Sequence, residues 1–234
     1  MPNTVWPTIH CKRVRITRLD VCGRPIVEEG NKSMLVTKGA IRVGVTFNYE
    51  DGEETTVKNG NGEICVFNKD PDQLKSIGLE LQLCGVDPEA YELITGMPLV
   101  TNGAGDAVGI KLSRQTIETR FALEAWTDVP GQACDDEGNA QYGYLAVTCV
   151  GAGRVSDFEL AVGAAEFSLS ATSEPINGWG EGPYAVMLDE NGDPSPLLDP
   201  LTDQEPGILT VVNMAPPEPT EGAVELVAFT PENP

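Results

Sequence analysis

A nine-residue stretch with strict alternation of apolar and polar side chains constrains the fold more than any other feature. Between residues 41 and 49 one set of alternate positions is apolar and the other is polar or glycine; the sets are Ile41, Val43, Val45, Phe47, Tyr49 and Arg42, Gly44, Thr46, Asn48. Successive side chains of a β-strand point to opposite faces of its sheet. The pattern therefore predicts a strand with one dry face and one wet face.

A turn sequence follows this strand. Asn59-Gly60-Asn61-Gly62 stands directly before residues 63 to 67, which form the second half of the ribbon. Asn-Gly dipeptides are typical of tight hairpin turns, because both central residues of such a turn take a positive φ. The sequence thus predicts a long two-faced ribbon whose chain reverses at this loop.

The rest of the chain indicates many short strands and one helix. Residues 12 to 19, 77 to 83 and 117 to 125 alternate in the same way, and 18 prolines and 25 glycines are spread between such segments. In the helical segment Asp87 is the expected N-cap, Pro88 the first helical residue and Gly96 the stop signal. With aromatic residues at only 6%, the core is expected to consist of Val, Leu and Ile.

These features predict a mainly β protein, folded as one domain over residues 1–234. All-β folds commonly reach about 200–250 residues as one unit. We expect an N-terminal arm over about residues 1–11 and an acidic C-terminal region over about residues 155–234. The last strand of that region is either an arm that pairs with a neighbouring subunit or the final strand of the chain's own fold.

The charge distribution argues against tight nucleic-acid binding. The formal net charge is −21, and residues 155–234 contain 15 acidic residues and no Lys or Arg. A protein that grips DNA needs clustered Lys and Arg to replace phosphate counterions. Excess acid is also an ordinary means of keeping a protein dispersed, although a surface that repels DNA is compatible with the same composition.

No motif in the sequence indicates catalysis, a metal or a cofactor. His10 is the one histidine and is expected to have no role; the six cysteines lack metal-ligand spacing and are interpreted as reduced, buried apolar residues. No apolar run approaches the length of a signal peptide or of a membrane helix, about 20 residues. We therefore expect no catalytic residues, no cofactor, no membrane partner, and synthesis in a cytosol.

Three stretches carry a family resemblance: RITRLDVCGRPI, VKNGNGEICVFNKDPDQLKSIGLELQLCGVDPEAYELITG and TNGAGDAVGIKL. In this order and spacing they resemble the major tail (tail tube) proteins of long-tailed (siphovirus) bacteriophages that infect actinobacteria. The likeness covers roughly residues 10 to 150, and its middle stretch is the most specific.

The resemblance implies a tail-tube-type β-sandwich flanked by one short helix, with long hairpin loops. Six copies would form a ring, and stacked rings would form a tube in the virion, assembled in the host cytoplasm. Implied partners are other copies of the chain, the tape measure, distal tail and terminator proteins at the tube ends, and DNA as non-specific cargo. The family brings no catalytic, metal or cofactor residues.

Two sets of surface residues follow from this expectation. Polar-face residues expected to line the channel are Thr46, Asn48, Glu80, Gln82, Glu118 and Glu124. The long hairpin loop, residues 50 to 62, is expected to reach an adjacent ring through Asp51, Gly52, Glu53, Glu54, Asn59, Gly60 and Asn61. Arg42 and Arg120 share the polar faces, and pairing with a neighbouring Glu would cancel much of their attraction for DNA.

Two other functions stay open from the sequence. An accessory Ig-like or capsid-decorating β-sandwich that attaches to a virion or cell surface shares the acidic, all-β character. A carbohydrate hydrolase would need a cleft with a raised-pKa carboxylate, and the sequence indicates no particular acidic pair among the 36 acids.

Overall fold

The computed structural model describes residues 10–85, 87–114, 117–129, 138, 140–155, 166–175 and 179–230, and this part of the chain is mainly β with one short helix. The elements are β1 (Cys11–Leu19), β2 (Lys32–Thr37), β3 (Ala40–Glu50), β4 (Glu54–Lys58), β5 (Ile64–Lys69), β6 (Gln73–Cys84), α1 (Pro88–Thr95), β7 (Leu99–Thr101), β8 (Ala107–Ile110), β9 (Arg120–Asp128), β10 (Tyr142–Gly151), β11 (Arg154–Val155), β12 (Glu166–Thr172), β13 (Met187–Leu188), β14 (Pro194–Ser195), β15 (Gly207–Val212) and β16 (Val224–Glu225).

Two antiparallel sheets pack face to face. The six-stranded sheet has the order β15-β10-β9-β1-β2-β16, and the four-stranded sheet has the order β11-β12-β6-β3. Their facing side chains form an aliphatic core that includes Val14 and Ile16 of β1, Leu79 and Leu81 of β6, and Leu123 of β9. This cluster is the Val, Leu and Ile core that the low aromatic content predicts.

A second core lies on the other face of the six-stranded sheet. Trp126 and Tyr144 from that sheet are 1% exposed and pack with Trp179, Tyr184 and Leu197 from the C-terminal region. The six-stranded sheet is therefore buried on both faces. This second core is aromatic, in contrast to the aliphatic composition expected for the whole interior.

The C-terminal region is part of the fold rather than an appendage. Strand β12 lies inside the four-stranded sheet, β15 forms one edge of the six-stranded sheet, and β16 forms the other edge by pairing with β2 of the same chain. The final strand thus corresponds to the second of the two alternatives. The acidic segment 189–203 is exposed in part only, since Leu197 within it is buried.

The short helix begins and ends at the residues the sequence indicates. The Asp87 carboxylate accepts hydrogen bonds from the backbone N–H groups of Glu89 and Ala90, and Pro88 occupies the first turn. Gly96 ends the helix with φ 69°, and a Cβ at this position would collide with Ile117. Leu93 and Ile94 of the helix are buried in the aliphatic core, so the expected short helix beside the sheets is confirmed.

Candidate channel and assembly surfaces

The outer face of the four-stranded sheet is polar along its whole described length. Residues that pair directly across an antiparallel ladder share one face. The registers of β3 with β6, of β6 with β12 and of β12 with β11 therefore place the following residues together on the face away from the core: Arg42, Gly44, Thr46, Asn48, Ser76, Gly78, Glu80, Gln82, Cys84, Arg154, Ser168, Ser170 and Thr172. This surface, called the polar wall below, presents hydroxyls, amides, glycines, one thiol and the charged side chains of Arg42, Glu80 and Arg154.

Two of the charges on the polar wall, those of Arg42 and Glu80, lie close enough to offset each other. A guanidinium nitrogen of Arg42 lies 3.9 Å from a Glu80 carboxylate oxygen, and both side chains are about two-thirds exposed, at 68% and 69%. An exposed pair of this kind contributes only about 0–1 kcal/mol to stability. Its main effect is on the field outside the wall, because each charge is screened by its partner.

The structure brings together four of the six residues expected to line a channel. Thr46, Asn48, Glu80 and Gln82 all lie on the polar wall, and the Asn48 amide donates to the Ser76 hydroxyl at 3.1 Å. Glu118 is exposed, but it lies ahead of β9, which begins at Arg120 rather than at residue 117. It therefore does not share the wall.

The expectation for Glu124 is wrong. Its side chain is 1% exposed and belongs to the six-stranded sheet. Its two carboxylate oxygens accept hydrogen bonds from the Arg15 guanidinium, and the Tyr144 hydroxyl donates to one of them at 2.6 Å. The alternation of apolar and polar residues predicted a solvent-facing position for Glu124, because a strand with this pattern usually has one face in solvent. Here the C-terminal region covers that face of the six-stranded sheet.

Aromatic rings enclose the buried Arg15. Its guanidinium carbon lies 3.4 Å from the ring centroid of Tyr184 and 5.0 Å from that of Trp126, and the hydroxyls of Tyr184 and Thr17 are 2.9 Å apart. Burial alone would lower the pKa of Arg15, but the Glu124 carboxylate outweighs it and the net shift is upward. Burial, reinforced by Glu124, holds the pKa of Tyr144 well above its ordinary value. Sequence reasoning did not identify this cluster, whose members are far apart in the chain.

Strands β4 and β5 form a hairpin that projects from the four-stranded sheet. Every residue of both strands is exposed, and their ladder pairs Val57 with Val66 and Thr56 with Phe67. The residues expected to reach an adjacent ring lie on this projection: Asp51, Gly52 and Glu53 at its base, Glu54 in β4, and Asn59, Gly60 and Asn61 in its turn. Gly52 is half-buried and the others are exposed.

The turn of this hairpin differs from the predicted type. The Asn59 side-chain oxygen accepts hydrogen bonds from the backbone N–H groups of Asn61 and Glu63, both at 3.0 Å. Gly62 has φ 85°, whereas Gly60 and Asn61 do not take a positive φ. The reversal therefore rests on an Asn side chain that organises the loop and on one glycine, not on two central residues with positive φ.

A set of close contacts fixes the base of the hairpin. The Asp72 carboxylate accepts a hydrogen bond from the Gly52 N–H at 3.0 Å and lies 3.4 Å from the Lys69 ammonium. A Cβ at Gly52 would collide with the Asp70 carbonyl oxygen, so only glycine permits this approach. The Gly52 hydrogen bond, followed by Lys69, lowers the pKa of Asp72. These contacts at the base, called the joint below, hold the β4–β5 hairpin in a defined direction relative to the four-stranded sheet.

The predicted dry face of β3 is only partly covered. Ile41 is 47% exposed and Phe47 is 53% exposed, and between β3 and the β9-β10-β15 side of the other sheet lies a cleft of about 600 Å³. Val43, Val45 and Leu209 also line it, together with the exposed His10, and none of its described lining residues is acidic. This opening between the sheets is called the intersheet cleft below.

The cysteines agree only in part with their interpretation. Cys149 is buried and Cys11 half-buried, but Cys22, Cys65 and Cys84 are exposed. These five form no disulfide, and Cys134 lies outside the described residues. In the described ranges no group of His, Cys, Asp and Glu has an arrangement that could hold a metal ion.

Comparison with known proteins finds no family pattern that matches this chain and no curated protein similar to it. In the described residues, no helical segment has the length and apolar character needed to span a membrane.

Proposed function

We propose that this protein is a structural subunit that assembles into stacked rings and so forms the tail tube of a long-tailed bacteriophage. The observation that carries the proposal is the polar wall: apart from the exposed Cys84, the register-paired residues on the outer face of the four-stranded sheet are polar, charged or glycine. A sheet with one buried face and one fully polar face suits the wall of a water-filled channel.

The chemistry of this wall suits the passage of DNA. Ser and Thr hydroxyls, amides and glycines offer phosphate no strong anchor, and Arg42, which could bind phosphate, is next to Glu80. Arg154 adds one positive charge at the margin of the wall, on the edge strand β11. Screening limits the remaining field to about 8 Å at physiological salt. DNA would therefore be cargo that moves along the wall rather than a ligand that it holds.

The sheet edges provide the means of ring formation. Strands β3 and β11 stand at the two ends of the four-stranded sheet in the described part of the chain. A strand at a sheet edge presents unpaired backbone groups, and a head-to-tail contact that closes on itself pairs each edge with the next copy. The number of six copies in a ring rests on the resemblance to tail tube proteins.

Electron microscopy of the purified protein tests the proposal. At high protein concentration, negative staining is expected to show rings or tubes with an open axial channel, and light scattering is expected to give the mass of a closed ring. A chain that stays monomeric or trimeric at all concentrations would favour an accessory module instead. Release of sugars from a polysaccharide would favour a hydrolase, and either outcome would overturn the tube assignment.

A further inference from the structure

We propose that the β4–β5 hairpin of one copy docks in the intersheet cleft of the next copy, with Val57 and Val66 as the contacting side chains. The inference rests on the self-association in the proposed function. It adds the specific surface that receives the hairpin, and the two surfaces involved are different parts of the same chain.

The hairpin has two valines side by side that the described part of its own chain leaves exposed. Val57 pairs directly with Val66, so the two side chains share one face, and the register shift after this pair matches Ile64 with Lys58 instead. Val57 is 49% exposed and Val66 is 51% exposed. An isolated two-stranded hairpin is marginally stable in water and needs a third strand or a packing surface. This hairpin therefore needs a partner.

The intersheet cleft has the complementary character. Its lining is mostly aliphatic, and it includes the exposed Ile41, Phe47 and Leu209. None of the described lining residues is acidic, although the chain has 36 acids. Because two copies with a net charge of −21 repel each other, an acid-free apolar cleft is where a second copy approaches with the least electrostatic cost.

The dimensions and positions of the two surfaces agree. The cleft follows β3 from Ile41 to Phe47, which is about 20 Å at the rise of a strand, and the six residues of β5 span a similar length. The hairpin leaves the molecule beyond Glu50, at the end of β3 opposite Ile41. Copies related by a shift along β3 therefore bring the hairpin of one to the Ile41 end of the cleft of the next.

Such a contact is heterologous, so each copy uses its hairpin once and its cleft once. This property gives a sharp mixing experiment. The hairpin variant carries Val57→Asp and Val66→Asp, and the cleft variant carries Leu209→Asp, a change at a side chain that is 59% exposed. Leu112→Asp, at a side chain that is 78% exposed and does not line the cleft, is the matched control.

Analytical ultracentrifugation is expected to show that the wild type and the Leu112 control form stacked assemblies, and that each other variant alone goes no further than the single ring that sheet-edge contacts allow. An equimolar mixture of the separately assembled hairpin and cleft variants is expected to form pairs of rings, because the intact hairpins of one ring meet the intact clefts of the other. Circular dichroism and a thermal melt on each variant establish that it is folded.

Several results would overturn the inference. A mixture without paired rings shows that the hairpin and the cleft do not meet, and a cleft variant that still stacks while the hairpin variant does not indicates a hairpin-to-hairpin contact. A hairpin variant that still stacks shows that this surface is not used. If the cleft variant loses binding of an apolar dye but keeps self-association, the cleft receives a different occupant. Tubes formed by the hairpin variant would overturn the docking but leave the proposed function in place. Pairing of the two variants in the mixture, with no rings or tubes of the wild type, would support the docking and overturn the proposed function.

Discussion

Arg15 and Glu124 lie directly opposite each other on β1 and β9 and form a two-pronged ion pair in the interior, with side chains that are 5% and 1% exposed. Loss of one charge would leave the other buried without compensation. We expect Glu124→Gln to lower the free energy of unfolding by about 3–5 kcal/mol. Glu118→Gln, six residues earlier and exposed, should change it by about 0.5 kcal/mol or less. Urea denaturation of both variants measures the difference, and equal effects would contradict the buried pair.

The hairpin turn depends on one glycine. Gly62 has φ 85°, a conformation that costs a residue with a Cβ about 1–2 kcal/mol, whereas Gly60 does not take a positive φ and has free space around it. Gly62→Ala is therefore expected to accelerate hydrogen exchange of the β4 and β5 amides, and Gly60→Ala is expected to leave it nearly unchanged. Exchange at the β1 amides serves as the internal reference. Equal acceleration in the two variants would show that the turn is not organised as described.

The base of the hairpin should loosen in acid. The pKa of Asp72 is lowered in the folded state, so its contribution is present above the unfolded value of about 3.9 and is lost as the pH falls through the lower folded value. Protonation removes the acceptor for the Gly52 N–H and the partner of Lys69. Amide exchange at Gly52 is expected to rise relative to the core below about pH 4. In Asp72→Asn that extra rise should be absent; if it persists, another group controls the joint.

Thiol labelling should separate the cysteines into two groups. Burial raises the pKa of Cys11 and of Cys149 to about 11, and Cys22, Cys65 and Cys84 are exposed. Since the thiolate is the reacting species, the first two should react at least about 100-fold more slowly than an ordinary thiol near pH 8. In a Cys134→Ser background, three thiols are expected to react rapidly and two only after denaturation. Rapid reaction of Cys149 would be inconsistent with its buried position.

Neutralisation of Glu80 should make the polar wall bind DNA. Glu80→Gln leaves Arg42 without its partner, and a free guanidinium attracts phosphate. We expect a several-fold increase in affinity of the assembled protein for double-stranded DNA at low salt, and a steeper loss of affinity as salt is added. The double variant Arg42→Gln, Glu80→Gln should return to the wild-type value. An unchanged affinity in Glu80→Gln would argue that the wall does not face the DNA.

Local signals were sufficient to predict the elements whose chemistry is local. The alternation in β3 correctly separates the two faces of that strand, and the residues that cap α1, Asp87 and Gly96, have the predicted roles. The TNGAGDAVG segment contains the turn that connects β7 with β8. In each case the decisive contacts lie within a few residues of one another.

Long-range layers could not be predicted in this way. The burial of Glu124 depends on Tyr184, a residue 60 positions later, whose segment covers a face that alternation alone assigns to solvent. Ile41 and Phe47 show the opposite error: the alternation predicts that they are buried, but they are partly exposed because no segment fully covers their face of β3. Alternation gives the two faces of a strand, but the packing of other segments decides which face is wet.

A recurring turn pattern was available in the sequence and was not recognised. In four loops an Asp or Asn side chain accepts the backbone N–H groups two and four residues later, and a glycine with positive φ stands three residues later. The pairs are Asp20 and Gly23, Asn59 and Gly62, Asn102 and Gly105, Asp189 and Gly192. This spacing would have predicted the turn geometry at the hairpin tip.

The position of β12, β15 and β16 has a consequence for biosynthesis. Strand β12 is an inner strand of the four-stranded sheet, and β15 and β16 are the two edge strands of the six-stranded sheet. In a nascent chain that does not yet include these strands, neither sheet is complete. Nearly the whole polypeptide must therefore leave the ribosome before the protein can finish folding. Prematurely terminated products therefore lack strands on which the folded protein depends.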